Sequence, residues 1–443
     1  MVTCGDNRSC SGTTPICDDS SNTCRACSAS AAECEGSPDG NLCSSMGSCV
    51  ECLDNSDCTG MAAPICGAEL SCRGCQEHDE CSSGVCSKAT GVCANTADVV
   101  YVGGSDTNDA GTCTKNVPCT TIAYASGQLS AARQTMLVAP GTYNQQVRLP
   151  RIPHHLIGYG AVIDGTGIDG TNRDGLVEID YHEDVIIEGL TVENSPTNGI
   201  YCNGGTDTMP TLTLRNVTIS GSASSAITHN QTCFLVLEDS VVRGSNSANI
   251  GAAITWAGGG LTLDRSRIVG NPNSAIVTDQ TEVLIQNSLI TNNGSNNYNR
   301  TLRLFGEVAT GSVVIRYNTI AYNSPGCVAT ITCQTSQSVT IDSNVIWGNQ
   351  ASCGPNVSPC SGADYVLSNN IIEDVSDFDP VPDGNITDDP LFVASGEDDF
   401  SLQPTSPGID SGTSEDAPAW DFNGNPRPSG AGPDIGALES PEP

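Results

Sequence analysis

The chain has 443 residues, with 17 basic against 51 acidic side chains and a formal net charge of −34. That balance excludes a polybasic partner surface, since nucleic acid and anionic lipid would be repelled, and no apolar run reaches the roughly 20 residues needed to span a bilayer. The chain is too long for one compact core, yet only 4% is aromatic and 15% charged, with 47 Gly, a composition that suits thin repeated coils of small and β-branched residues.

The first 97 residues are organised by cysteine. No signal-peptide pattern precedes Val2, so the compartment has to be argued from the thiols. Of 24 cysteines, 16 fall into four modules: Cys4, Cys10, Cys17 and Cys24; Cys27, Cys34, Cys43 and Cys49; Cys52, Cys58, Cys66 and Cys72; Cys75, Cys81, Cys86 and Cys93. An even count in short modules with few core-forming residues predicts a disulfide framework. The competing reading is zinc, because module junctions create Cys-x-x-Cys pairs at Cys24, Cys49 and Cys72, but no histidine pair completes a finger-like set. Each module alone allows three pairings. Four further close pairs follow: Cys113 with Cys119, Cys202 with Cys233, Cys327 with Cys333, and Cys353 with Cys360. This density of potential bridges predicts an oxidising compartment, extracellular or at the cell surface.

From residue 98 to about 380 a different repeat takes over. Eight phrases begin at Ile187, Leu214, Leu237, Leu263, Ile285, Ile315, Ile341 and Leu367. Each has a branched apolar residue five positions on and usually Asn or Ser eight positions on, and they recur every 22 to 30 residues or so. Apolar residues alternate within each phrase, which means half-buried strands. A third strand lies beyond the next loop, at Ile200, Ile227, Ile254 and Ile276. Three strands per coil make this an all-β parallel β-helix solenoid of about 11 coils. The fourth position of the phrase runs through Ser240, Ser266, Ser288, Asn318, Asn344 and Asn370, polar side chains placed to bond the backbone of adjacent coils.

At the entry, a strand, a Gly/Asp-rich loop, a predicted helix over Ile122 to Arg133 and the segment LVAPGTYNQQV resemble the start of right-handed β-helix proteins of the pectin-lyase-like superfamily. The helix would cap the open end of the solenoid. Residues 381–443 carry DPLF at Asp389, SLQPTSPGIDSG from Ser401, DFNGNPRP from Asp421 and PDIGALE from Pro433. They are similar to the C-terminal segment of the choice-of-anchor β-helix family of secreted and surface proteins. The cysteine modules are similar, more loosely, to stalk repeats of myxobacterial surface proteins. The first resemblance implies work on polysaccharide in a groove along one parallel sheet, with carboxylates, often calcium, and an Arg or Lys base. The chain departs from that pattern. Its two lysines, Lys88 and Lys115, lie outside the repeats, and the superfamily's Gly-His-Gly turn, adjacent Asp pair and Asp-Pro-His-Glu stretch are absent.

With Ile200, Ile227, Ile254, Ile276 and Leu302 inward, alternation places Asp180, Tyr201, Asn203, Thr228, Asn230, Thr255, Asp279 and Arg303 outward on the third strand. Asp279 and Arg303 are the catalytic candidates, a carboxylate beside a guanidinium; the blander account is an ordinary cross-coil ion pair. Asp180, Tyr201, Asn203, Thr228, Asn230 and Thr255 are the substrate-binding candidates. His154 and His155 read as a loop pair without an acidic partner, Trp256 and His229 as core residues, and His182-Glu183-Asp184 as a solvated corner. Ten carboxylates between Glu373 and Asp399 meet no Lys or Arg, which makes that stretch a solvated loop or a calcium ligand set. Asp421-Phe422-Asn423-Gly424 resembles half a calcium loop, against which stands a structural cap on Arg427 with Asp410 or Asp434. The resulting expectation is a secreted or surface β-helix protein that binds, and on the resemblance processes as lyase, epimerase or hydrolase, an extended polysaccharide. The alternative is a non-catalytic structural or adhesive protein held on a disulfide-rigid stalk.

Overall fold

The computed structural model describes residues 4, 6–18, 20–28, 31–103, 109–171, 174–180, 183–204, 209–229, 233–245, 251–294, 300–306, 311–325, 330–335, 338–350, 355–359 and 364–440. The chain forms two compact units, Met1–Val99 and Val100–Pro443.

In the first unit each module is a single 3-10 turn followed by a two-stranded hairpin. All four share one crossed connectivity: Cys4–Cys17 with Cys10–Cys24, Cys27–Cys43 with Cys34–Cys49, Cys52–Cys66 with Cys58–Cys72, and Cys75–Cys86 with Cys81–Cys93. The two bridges of a module lie against each other and stand in for the core that so short a segment cannot build. In three of the four modules the first residue of the 3-10 turn pins its hairpin. Asn7 Oδ1 accepts the Cys17 N–H at 2.8 Å, Asn55 Oδ1 the Cys66 N–H at 2.8 Å, and His78 Nδ1 the Cys86 N–H at 3.0 Å.

The second unit is a parallel β-helix. Its first sheet contains strands such as His154–Ile157, Val185–Glu188, Thr211–Arg215, Phe234–Glu238, Ser312–Arg316 and Ser338–Asp342. The second sheet has ten strands, from Gly141–Tyr143 to Ile371–Ile372, so the coils are fewer than the eleven or so expected from the repeat. The third includes Gly175–Asp180, Asn198–Asn203, Ile227–His229, Leu302–Gly306 and Ile331–Thr335. Two long strands, Ala252–Asp264 and Ser274–Gln286, run from the third sheet into the first without a break. In the first of them glycine permits that corner: a Cβ at Gly259 would sit 1.9 Å from the Cys233 carbonyl oxygen, and one at Gly260 1.8 Å from the Phe234 ring.

Single files of aliphatic side chains fill the interior. On the third sheet Val177, Ile200, Ile227, Ile254, Ile276, Leu302 and Ile331 pair coil to coil, each with no exposed surface. Burial of one such side chain stabilises by roughly 1.5–3 kcal/mol. The expected inward set of this sheet is therefore the observed one.

Two polar stacks complete the coils. In the first, the Val217 N–H donates to Ser240 Oγ, Ser240 N–H to Ser266, Ser266 N–H to Ser288, and the chain of bonds continues through Asn318, Asn344 and Asn370 to Asn385. The second runs through Ser222, Ser245, Asn271, Asn293, Asn323 and Asn349, the ninth position of the phrase. Between the first and second sheets the chain turns through left-handed residues, among them Asn216, Asp239, Asn287 and Asn369. Asn and Asp tolerate that backbone region better than other side chains.

The capping helix is Ile122–Ser126, shorter than the predicted Ile122 to Arg133. Ser130 and Arg133 close a small bridge, and the Arg133 guanidinium donates to the Thr112 carbonyl at 2.7 Å and that of Cys113 at 3.2 Å, which takes the chain out of helix. The Cys113–Cys119 and Cys202–Cys233 bridges form. Cys333 is disulfide-bonded, whereas Cys327, Cys353 and Cys360 lie outside the described residues.

The C-terminal segment packs on the later strands of the second sheet. Phe400, Ala437 and Leu438 cover Leu289 and Ala321, and Ile435 joins Val345 and Ile371. Arg427 anchors it. Its guanidinium pairs with Glu439 at 2.7 Å, donates to the Asp434 and Gly436 carbonyls, and lies 4.3 Å from the Tyr317 ring centre. The partner is thus Glu439, with Asp434 contributing its backbone; Asp410 and Asp434 are instead joined by an N–H to carboxylate bond of 2.9 Å.

Candidate functional site

Three outward faces can carry chemistry, and they differ in how far their polar groups are already engaged. On the first sheet an outward row pairs Glu188, Arg215, Glu238 and Asp264 in register. Arg215 meets Glu238 at 3.0 Å, and Arg265 bridges Asp239 at 2.8 Å and Asp264 at 2.7 Å. Burial still raises the Asp264 carboxyl above its ordinary range, against the lowering by Asn287 and Arg265. This face is closed on itself by ion pairs. The later second sheet is covered by the C-terminal segment.

The third sheet keeps its outward row. Cross-coil pairing aligns Glu178, Tyr201, Thr228, Thr255, Val277, Arg303 and Thr332 in one file, with neighbours about 4.8 Å apart. Tyr201, Thr228 and Thr255 therefore stand side by side as expected. Asn203 is paired with Asp180; the Asp180 side chain and Asn230 are outside the described residues. The Thr255 hydroxyl is engaged locally, 3.2 Å from Ser225 Oγ and accepting from the Ala252 N–H at 3.3 Å.

Asp279 and Arg303 share this face but not one position along it. Arg303 pairs with Val277, and Asp279 with Phe305, an offset of two residues or about 7 Å along the strand. The expected side-by-side placement is corrected accordingly, and no ion pair joins them. The Arg303 guanidinium lies 3.9 Å from the Phe305 ring centre, a cation–π contact. Burial lowers the Arg303 pKa, Arg300 lowers it further, and Asp279 opposes both.

Other candidates resolve into structural roles. Trp256 is fully buried and its indole N–H donates to the Cys233 carbonyl at 3.0 Å. Half-buried His229 lies 4.3 Å from the Trp256 ring centre. Asp184 accepts the Thr211 N–H at 2.8 Å; His182 is outside the described residues. The loop reading of His154 and His155 is corrected. Both begin the strand His154–Ile157, where His155 Nε2 meets the buried Glu188 carboxylate at 3.0 Å and the Tyr159 hydroxyl donates to it at 2.7 Å. Local spacing could not find this constellation, because the partner is one coil away in space and 33 residues away in sequence.

In the acidic C-terminal region the Asp421 carboxylate accepts the Asn423, Asn425 and Glu439 N–H groups and the Asn425 side-chain amide. A cavity of about 740 Å³ is lined there by Val393, Leu402, Pro404, Ile409, Asp410 and Asp434 among others. Asp410 and Asp434 both hold loop N–H groups, so their role in that cavity is structural.

The family described as "Right handed beta helix region" matches residues 198–372. Among solved structures, "Crystal structure of pectate lyase Pel9A" is similar with a TM-score of 0.49 and 15% identity, covering 77% of this chain and 96% of that chain. No curated protein sequence matches. The second unit is a right-handed parallel β-helix, following a disulfide-rich unit.

Proposed function

We propose that the protein acts outside the cell or at its surface and binds an extended polysaccharide along the outward face of the third sheet. The observation that carries this reading is the file from Glu178 to Thr332, which presents an aromatic ring, hydroxyls and a guanidinium at the coil repeat, on a face not closed by ion pairs as the first sheet is. A repeating ligand can meet a repeating surface without reshaping it. Ten described disulfides support an oxidising compartment, and no described helix is long and apolar enough to cross a membrane.

Turnover is a further step of the same proposal. It would use Asp279 as the carboxylate that takes or gives a proton and Arg303 as the cation two residues away along the same face. Their separation along the strand leaves room for a ligand group between them. The second reading, a non-catalytic structural or adhesive protein, is favoured by the missing ion pair and by the disulfide-built modules.

The test is retention of the oxidised protein on a polysaccharide panel, with and without calcium, while unsaturated uronates and new reducing ends are followed. Retention that falls several-fold in Tyr201→Ala supports the binding face, and products lost in Asp279→Asn add catalysis. Retention without products selects a binding module. No retention on any polymer contradicts the proposal and leaves the structural reading.

A further inference from the structure

Beside its ion-paired row, the outward face of the first sheet carries a second file. Cross-coil register lines up Ile186, Val236, Leu284, Val314 and Val366, with threonine at the three coils between. Alternation turns these side chains outward, next to the fully buried Ile187, Leu237 and Ile285. They are half-buried except Val366, which is 47% exposed. In the neighbouring outward file the Phe234 ring lies across Gly260. The corresponding file of the third sheet holds a single aliphatic residue, Val277, and the C-terminal segment packs on the second sheet. A contiguous apolar stripe over eight coils marks a surface that is covered in use. We infer that this face is the contact between two copies of the chain, laid sheet against sheet with their coils running in the same sense.

Area and charge both fit that occupant. Coils about 4.8 Å apart and three outward positions along each strand give a face of roughly 40 by 15 Å. That is about 600 Å² on each copy and about 1,200 Å² in all, the lower bound of a specific protein contact. The charges beside the stripe are already matched: Arg215 with Glu238, Arg265 with Asp264, and Glu188 with His155 and the Tyr159 hydroxyl. Asp342 accepts from Ser343, Ser368 and Asn369, so covering the row leaves no carboxylate of it without a partner. A two-fold axis along the solenoid sets Leu284 against Leu284 and reverses the strands. The charged row of one copy then faces the Thr211, Ser312 and Ser338 side of the other, and Glu282 meets the neutral Gln286. An axis along the strands would oppose the two charged rows, at a cost in like-charge repulsion. With −34 on each copy, the rest of the surface resists association until salt screens it. Such an apolar contact is tightened by salt, whereas one held by ion pairs is loosened.

The test is sedimentation equilibrium of the full oxidised chain over a concentration series, at about 0.05 M and about 0.5 M salt. The wild type is expected to form a reversible dimer that tightens several-fold at the higher salt. Leu284→Glu, which sets two carboxylates against each other across the axis, should weaken it at least about tenfold. Val241→Glu, outward on the second sheet, should leave it unchanged. Hydroxyl-radical footprinting of the wild type gives a readout that needs no variant: Phe234 should lose reactivity as the dimer forms, while Tyr201 on the third sheet keeps it. A chain that stays monomeric at both salts overturns the inference. So does a dimer that loosens with salt, survives Leu284→Glu or leaves Phe234 as reactive as in the monomer. If Leu284→Glu does not fold, the salt series and the footprint decide. A monomeric wild type whose retention on a polysaccharide falls in Leu284→Glu would assign the face to polymer instead, and the inference falls. The glycan reading of the third sheet is untouched by the dimer result, because the contact uses another face.

Discussion

The stacked asparagines show how one side chain can hold three coils. Asn344 Nδ2 donates to the Ile315 and Asp342 carbonyls and to Asn370 Oδ1, while Asn344 Oδ1 accepts from the backbone N–H and the side-chain amide of Asn318. All are buried, so the groups released by truncation cannot recover their bonds from water. Asn344→Ala should cost about 2–6 kcal/mol, the sum of two unsatisfied groups at ~1–3 kcal/mol each. Asn344→Ser should recover part of the loss, since Ser288 and Ser266 accept the neighbouring coil's N–H two and three coils earlier. Urea unfolding of the three proteins checks the order; an Ala variant as stable as the wild type would show that the stack does not stabilise the helix. The fourth-position stack was legible because the phrase itself repeats Ser and Asn. The pairing of His155 with Glu188 was not, because it depends on which coil lies above which.

At the level of elements, strands and their inward faces were readable from alternation, since a period of two fixes which side chains point together. Register between coils was not. Loop lengths vary from coil to coil, and Asp279 lies three residues past Ile276 whereas Arg303 lies one past Leu302, the partner of Ile276, which sets the two apart. The capping helix was overextended because apolar spacing alone does not reveal that the Arg133 guanidinium is bound elsewhere. The C-terminal segment reads as a cap in sequence, yet its anchor became visible only when Glu439 was brought to Arg427. Both side chains are fully buried, at 0% and 1% exposure. Removing one member of such a pair leaves an uncompensated buried charge, and Arg427→Ala should therefore destabilise the segment by about 3–5 kcal/mol. Hydrogen exchange should show the loss first at Ile435 and Gly436, whose N–H groups bond the Gly408 and Ser343 carbonyls. Unchanged protection there would contradict the role assigned to Arg427.

For the molecule as a whole, the acidic excess and the cysteine modules set where it can work, and the β-helix sets what it can meet. A solenoid offers flat faces at a fixed repeat; here one is spent on its own ion pairs, one is partly covered by the C-terminal segment, and one carries the Glu178 to Thr332 file. The most direct test of that assignment is hydroxyl-radical footprinting of the full oxidised chain, with and without the polysaccharide that retains it best. Tyr201 and Phe305 on the third sheet should be protected by the polymer, while Tyr159 and Trp420, at 40% and 52% exposure, should react as before. Protection of Tyr159 or Trp420 with Tyr201 and Phe305 unchanged would place the ligand elsewhere and contradict the account.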